Sequence, residues 1–146
     1  MRPAASSVRL ARCVRSGAAF AIAPTPETTV WEALALGNMM IALAANRRYA
    51  YQSIGALGAI ELTAPTRATH VSLALRRLGL EGKARVYFEL HATLDLRHSE
   101  AWNREVLHPL VAENPETAKP IAEGALLRLI AGARCFTRYR REFGLG

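Results

Sequence analysis

Two histidines and an aspartate recur at helical spacing between residues 91 and 98. His91, Asp95 and His98 stand at positions i, i+4 and i+7, and these offsets fall within roughly 60° of arc on an α-helix, so the three side chains leave from one face. Two imidazole nitrogens and a carboxylate oxygen suit a borderline metal such as Fe(II), Mn(II) or Zn(II). The spacing therefore predicts a metal site, and the competing interpretation is a polar stripe that faces solvent.

A metal site of this kind needs a ligand from a second helix, because helical bundles hold ions with side chains that project inward from facing helices. Glu61 is the candidate, since it follows the apolar residues Ala59 and Ile60, where a carboxylate is costly to bury without a cation or donor. Glu89 is expected on the opposite side of the helix that carries His91, in solvent. His70 is expected on a more exposed helix.

The elements that would position these residues are helices. Ala, Leu and Arg dominate long stretches without proline, which favours helix, and no run of alternating β-branched and aromatic residues predicts a sheet. The predicted helices cover residues 30–43, 48–63, 67–78, 83–110 and 115–142. Their expected boundaries are a cap at Thr28 or Thr29, a break at Asn46, stops at Pro65 and Gly79, a bend at Pro109 and a cap at Asn114. The last helix is expected to be anchored by Leu126, Leu127, Leu129, Ile130, Phe136 and Tyr139.

Length and composition predict one domain with a single helical core. The chain has 146 residues, of which 51% are hydrophobic. Its net charge of +7 is uneven, because four arginines precede the first acidic residue, Glu27, while the remaining residues carry 15 basic and 12 acidic side chains. No motif that reads bases accompanies the charge, so no nucleic-acid partner is predicted.

Membrane and redox signals in the sequence favour a cytoplasmic protein. The longest apolar stretch, residues 33–45, suits a buried helix better than a membrane span. Cys13 and Cys135 are far apart and predict free thiols in a reducing compartment. Residues 1–26, rich in Ala, Ser and Arg, predict a poorly ordered or unrelated leader with a weak helix at 8–19, and residues 27–146 form the predicted domain. A secretory signal and a transit segment are alternatives for the leader.

At the four candidate ligands, Glu61, His91, Asp95 and His98, the chain resembles the haem-oxygenase-like di-iron oxidases and oxygenases, a family of iron-containing redox enzymes. The resemblance rests on His-x-x-x-Asp-x-x-His late in the chain with a Glu one helical hairpin earlier. The flanking segments 46–51, 55–61, 87–91 and 123–125 add to it, and it covers roughly residues 30–143. It implies an all-α, haem-oxygenase-like helical bundle whose members bind two non-haem irons, activate O2 and oxidise small amines, fatty acids or amino-acid-derived substrates.

Carried over by position, the resemblance implies that His91, Asp95 and His98 are iron ligands and that Glu61 bridges or flanks the metals. It implies Fe(II) as cofactor, O2 and a small organic molecule as substrates, and no catalytic residue beyond the ligands. The family also uses a Glu and a His from an early helix, but residues 1–26 contain no Glu, Asp or His. The sequence therefore predicts the C-terminal two thirds of such an enzyme, as a fragment, a mis-started reading frame or a degenerate copy.

Two functions from different classes follow from this pattern. The first is a di-iron or mononuclear iron oxidoreductase that is weak or inactive as a fragment. Four ligands suit one metal, as two histidines and a carboxylate do in non-haem Fe(II) sites. The second is a non-catalytic helical remnant that associates with itself, as a homodimer, or with a partner through apolar faces left uncovered. Haem binding is a third, weaker hypothesis. The proximal histidine of haem oxygenase lies on its first helix, and residues 1–26 of this sequence contain no histidine.

Overall fold

A computed structural model of the protein describes residues 24–145, apart from the Leu96 side chain. Every regular element in that range is helical, which confirms the all-α prediction. The helices are α1 (Trp31–Ala45), α2 (Ala50–Arg77), α3 (Gly82–Trp102), α4 (His108–Glu113) and α5 (Ala118–Glu142). Two 3₁₀ turns, Arg47–Tyr49 and Pro115–Thr117, and a π-helical segment, Asn103–Leu107, lie between them. The leader helix predicted at 8–19 and Cys13 lie outside the described residues.

The chain divides into two compact units, each of which is described by itself. The hairpin unit contains Thr63–His98, which is the second part of α2 followed by most of α3. The larger unit combines Thr25–Leu62 with Ser99–Gly146 and so contains α1, the first part of α2, α4 and α5. None of the described helices is both long and apolar enough to cross a bilayer.

Helix α1 begins without the predicted threonine cap. Its N-cap residue is Val30, whose side chain makes no capping hydrogen bond. The Thr28 and Thr29 hydroxyls instead donate to the Thr25 carbonyl oxygen, at 3.2 and 2.6 Å. The prediction was wrong because a threonine can satisfy the preceding turn as readily as a helix start.

Asparagine caps are where the sequence predicts them. Asn46 Oδ1 accepts from the Arg48 backbone N–H at 3.0 Å, which ends α1 and opens the first 3₁₀ turn. Asn114 Oδ1 accepts from the Glu116 N–H at 3.1 Å and opens the turn that leads into α5. Both predicted breaks are confirmed, because an asparagine side chain supplies an acceptor for an N–H that has no partner in the helix.

Pro65 does not end a helix, contrary to the prediction. Helix α2 runs through it for 28 residues and joins the two helices predicted at 48–63 and 67–78. A proline in a helix interior costs about 3 kcal/mol, but long helical stretches on both sides keep the chain in register. Side chains add bonds around it, since Arg67 Nε donates to the Thr63 carbonyl at 3.2 Å and the Thr69 hydroxyl to the Pro65 carbonyl at 2.9 Å.

The predicted bend at Pro109 takes the form of a change in helical register. Helix α3 ends at Trp102, and the π-helical segment that follows leads into α4, where Pro109 occupies the first turn. The helical backbone continues through this junction, since the His108 N–H donates to the Asn103 carbonyl five residues earlier, and Pro109 itself has no N–H to donate. The π-helical segment thus accommodates the proline that would otherwise interrupt one long helix.

The hairpin unit is closed by a glycine turn, as predicted. Gly79 has φ +72°, a left-handed conformation that glycine adopts without steric cost. Its N–H donates to the Arg76 carbonyl at 3.0 Å, and the Leu80 N–H donates to the Leu75 carbonyl at 3.1 Å. This pair of bonds is the Schellman motif, and it reverses the chain between α2 and α3.

Glu89 ties the two helices of this hairpin together. Its Oε1 accepts from Arg76 Nη2 on α2 at 3.0 Å and from Arg85 Nε on α3 at 3.1 Å. The carboxylate was expected to be solvated, but these bonds engage it, and they hold the pKa of Glu89 below its usual range, Arg76 contributing most. The ion pairs therefore help to fix α3, which carries the predicted ligands, against the end of α2.

The larger unit is built around a close contact between two helix backbones. A Cβ atom on Gly124 of α5 would overlap the main chain of Gln52 on α2, and one on Gly55 would overlap the main chain of Ile121. Gln52 Nε2 also donates to Glu123 Oε2 at 3.4 Å. The two helices can cross this closely only because both crossing positions lack a side chain.

The predicted anchors of the last helix do not face the core. Leu126, Leu127, Leu129, Ile130, Phe136 and Tyr139 are between 36% and 57% exposed. The buried residues of α5 are Ile121, Gly124, Gly132 and Cys135. The reason is the glycine contact with α2, which admits only small side chains at the crossing and turns the bulky residues outward.

Cys135 is a free, buried thiol in the larger unit. Burial raises the pKa of this thiol, and the nearby Glu32 carboxylate adds to the shift. The thiol is therefore protonated and unreactive at neutral pH. The prediction of a free cysteine is confirmed at this position.

We expect Gly124→Ala to destabilise the chain by more than about 2 kcal/mol, because its Cβ would force the α2 and α5 backbones apart. Gly37→Ala is the matched control, since no atom lies within 4 Å of a Cβ at this position of α1. That control should stabilise the helix by roughly 0.5–1 kcal/mol. Urea unfolding followed by circular dichroism measures both, and equal effects would contradict the close crossing.

We expect Glu89→Gln to lower stability at neutral pH and to have little effect in acid. The arginines lower the pKa of Glu89 in the folded state, so its contribution is complete above the ordinary pKa of a glutamate and is lost as the pH falls through the lowered value. Thermal unfolding from neutral pH to about pH 3 tests this. Glu100→Gln, at an exposed position of α3, is the control; a pH-independent difference for Glu89→Gln would contradict the assignment.

Candidate metal centre

Asp95 and His98 are the two predicted ligands that the structure brings into contact. They lie one turn apart on α3, and His98 Nδ1 is 3.2 Å from Asp95 Oδ1. Asp95 is only 3% exposed, whereas the His98 side chain is 38% exposed. A carboxylate this deeply buried needs a cation or hydrogen-bond donors nearby. The His98 imidazole can either bind a metal ion together with Asp95 or donate a ring N–H to the carboxylate.

The spacing of this pair fits a shared metal ion. Donor atoms bound to one ion at about 2.0–2.2 Å lie roughly 3 Å apart when their bonds meet near a right angle, close to the separation observed. A nitrogen and a carboxylate oxygen are a donor combination that Fe(II) accepts. The same separation also suits a ring N–H that donates to the carboxylate without a metal. The donor set therefore fits iron.

His91 makes a different contact, one turn earlier on α3. Its Nδ1 is 2.7 Å from the Tyr87 backbone carbonyl oxygen. A carbonyl only accepts, so Nδ1 carries the proton and donates, and in a neutral ring Nε2 then keeps its lone pair. Histidines that bind metals are commonly held in this way by a carbonyl acceptor. His91 is thus prepared to bind through Nε2 and takes no part in the contact between Asp95 and His98.

Tyr87 is a residue whose role the sequence did not reveal. Its ring lies over the His91 imidazole, with centroids 4.1 Å apart and planes inclined by 31°, and it meets the Phe88 ring edge-on at 5.2 Å. Both its ring and its carbonyl therefore restrain the His91 side chain. The available signal was an aromatic residue four positions before a histidine on one helix, a spacing at which side chains touch.

Glu61 lies in the larger unit, on α2, and is half-buried. Its role as a ligand stays a prediction. His70, also on α2, is exposed as the sequence suggested. The hairpin unit by itself therefore provides three of the four predicted ligands, all on α3.

Comparison with known protein families agrees with the chemistry of this helix. Residues 17–133, about four fifths of the chain, match a family model described as iron-containing redox enzyme. No curated protein and no solved structure matches the chain. The match includes His91, Asp95 and His98 as well as Glu61.

We expect Tyr87→Ala to weaken Fe(II) binding on the order of tenfold, since groups that orient a ligand typically contribute this much. The backbone carbonyl remains, but the ring that restrains the imidazole is lost. Tyr87→Phe keeps the ring and should weaken Fe(II) binding less than Tyr87→Ala does. Anaerobic titration against a chromogenic chelator measures both, and equal affinity in Tyr87→Ala would show that the ring contact does not position His91.

Proposed function

The chain belongs to the family of iron-containing redox enzymes, and we propose that it is a non-haem iron oxidoreductase that oxidises a small organic substrate with O2. In this proposal His91, Asp95 and His98 of α3 hold the iron, and Glu61 of α2 supplies a second carboxylate. The observation that carries the proposal is the buried Asp95 carboxylate beside the His98 imidazole.

Each residue has a separate task at the proposed site. Asp95 supplies negative charge where solvent does not reach it, which strengthens its attraction for a cation. His91 and His98 supply neutral nitrogen donors, and the Tyr87 carbonyl fixes which nitrogen of His91 is available. Iron bound by these groups would pass electrons from the organic substrate to O2. Because both imidazoles must be deprotonated to bind, iron affinity should fall in acid.

The number of protein ligands limits the number of iron ions that one chain can hold. Two His and one or two carboxylates suffice for one Fe(II) with open positions for other ligands. Sites that hold two irons in helical bundles use about six side chains from four helices. We therefore propose one firmly bound iron per chain, and a second one only where further ligands complete the site.

The alternative is a helical protein without catalytic activity. The 3.2 Å contact between Asp95 and His98 favours this alternative, because an imidazolium can balance the Asp95 charge without a metal. The exposed apolar residues of α5 favour it too, because they suit association rather than catalysis. The two functions differ in what Asp95 does when no metal is added.

We expect Fe(II), added without oxygen, to raise the unfolding temperature of the wild-type chain but not of Asp95→Asn or His98→Ala. A ligand that binds only the folded state stabilises it by about 2.7 kcal/mol at 100 times its Kd. Iron content after gel filtration and iron-dependent O2 uptake are the second and third measurements. His70→Ala, which removes an exposed histidine of α2, should respond like wild type.

The metal-free proteins separate the alternatives. If Asp95 is a ligand, Asp95→Asn removes a buried charge that nothing else requires, and the metal-free variant should be at least as stable as wild type. If Asp95 forms only an ion pair with His98, the same variant should be less stable, and iron should shift neither protein. The second result would overturn the enzymatic proposal in favour of the non-catalytic protein.

A further inference from the structure

A stripe of apolar side chains runs along the outside of α5. Leu126, Leu129, Ile130, Ala133 and Phe136 recur at steps of three and four residues, so they share one face of the helix. The four larger residues are 47–57% exposed, and Ala133 is exposed as well. We call this face the outer stripe. It is distinct from the glycine-rich face of α5 that packs inward.

The outer stripe leads into a groove between α1 and the C-terminal half of α5. This groove, the Trp31 groove, has a volume of about 630 Å³ and is lined by Trp31, Ala133, Arg134, Thr137 and Arg141, among others. Arg138, at its base, pairs with Glu142 at 2.7 Å and lies 3.9 Å from Glu32. Arg134 and Arg141 form no ion pair within residues 24–145. The groove thus combines apolar walls with two positive charges that lack partners.

Charge is distributed unequally along the same helix. Residues 113–123, which lead into α5 and form its first turns, carry three glutamates (Glu113, Glu116 and Glu123) and one lysine (Lys119), whereas residues 128–141 contain five arginines and no acidic residue. Glu123 is exposed and accepts a 3.4 Å hydrogen bond from Gln52. An antiparallel copy of α5 would therefore bring an acidic end to an arginine-rich end at two equivalent places.

We propose that the outer stripe and the Trp31 groove are two halves of one interface, occupied by a second copy of this chain. The two α5 helices run antiparallel about a twofold axis near Ala133. Leu126 and Leu129 of each copy enter the Trp31 groove of the other, and Glu123 lies against Arg141 of the partner subunit. A protruding ridge and a recess on one helix, offset along its length, make the surface self-complementary, as a twofold dimer requires.

The charges favour a second copy over the other occupants of this surface. Residues 1–26 carry four arginines and no acidic residue, so they do not complement an arginine-lined groove. An anionic membrane would attract the arginine-rich end of α5 but repel Glu116 and Glu123. A second copy satisfies both ends of the helix at once.

The size of the surface sets the expected strength of the dimer. From residue 119 to residue 141, α5 is about 35 Å long at 1.5 Å per residue. A contact strip of ordinary helix width would bury on the order of 1,000 Å² in total, the lower end for specific interfaces. We therefore expect a dissociation constant in the micromolar range, because interfaces at this end of the size range are typical of weak, transient complexes.

Sedimentation equilibrium of the 146-residue chain from about 1 to 100 µM tests the dimer directly. Ala133→Arg places two arginines near the twofold axis and should weaken dimerisation by more than about tenfold. Ile41→Arg changes a residue of α1 that is 68% exposed and should leave it unaltered. At concentrations below the dissociation constant, where all three proteins are monomeric, the unfolding temperatures of both variants should equal that of wild type, since each position is exposed in the monomer.

A charge exchange tests the antiparallel orientation. Glu123→Arg and Arg141→Glu should each weaken the dimer about fivefold, and the double variant should restore it. A purely structural effect of either residue would not be rescued by the other. A monomer at the highest concentration, or a dimer indifferent to Ala133→Arg, would overturn the proposal. Binding of a monomeric chain to vesicles that contain phosphatidylserine would overturn it in favour of a membrane. None of these outcomes depends on iron.

Discussion

The contact between the backbones of α2 and α5 at Gly55 and Gly124 governs the larger unit. Because neither position has a Cβ, main-chain atoms of the two helices meet directly, and the rotation of α5 about its own axis is fixed. Gly132 and Cys135 follow on the buried face, and the leucines and Phe136 are turned outward. The outer surface of α5 is therefore a consequence of close packing on its inner side, and its apolar character requires an explanation in terms of association.

The hairpin unit has a constraint of its own, which acts on the predicted metal ligands. The turn at Gly79 and the bonds from Arg76 and Arg85 to Glu89 set how α3 returns along α2. From Glu89 onward the helix itself dictates which residues share a face. Ligand geometry is thus determined by regular backbone structure and not by a loop, which is the arrangement that holds donor atoms most accurately.

Local signals in the sequence were sufficient wherever the structure depends on a few neighbouring residues. Asn46, Gly79 and Asn114 each end or open a helix through bonds to groups within a few residues, and these boundaries were predictable. The prediction that a helix ends at Pro65 was wrong, because the free-energy cost of one proline is small against the length of helix around it. The core face of α5 was unpredictable for a different reason: its leucines outnumber its glycines, but the glycine crossing depends on a residue of α2 about seventy positions away.

At the predicted metal site, too, the sequence predicted the local pattern but not the contacts around it. Spacing alone placed three donors on one face of a helix, yet it could not show that Asp95 is buried against His98 or that His91 is restrained by Tyr87. Burial changes the argument, because a buried ion pair rarely stabilises a protein more than apolar side chains of similar size would. We therefore propose that the Asp95 carboxylate is buried there because it binds a cation, since folding alone gains nothing from a buried charge. The oriented His91 ring supports the same proposal, since folding alone does not require a fixed lone pair at Nε2.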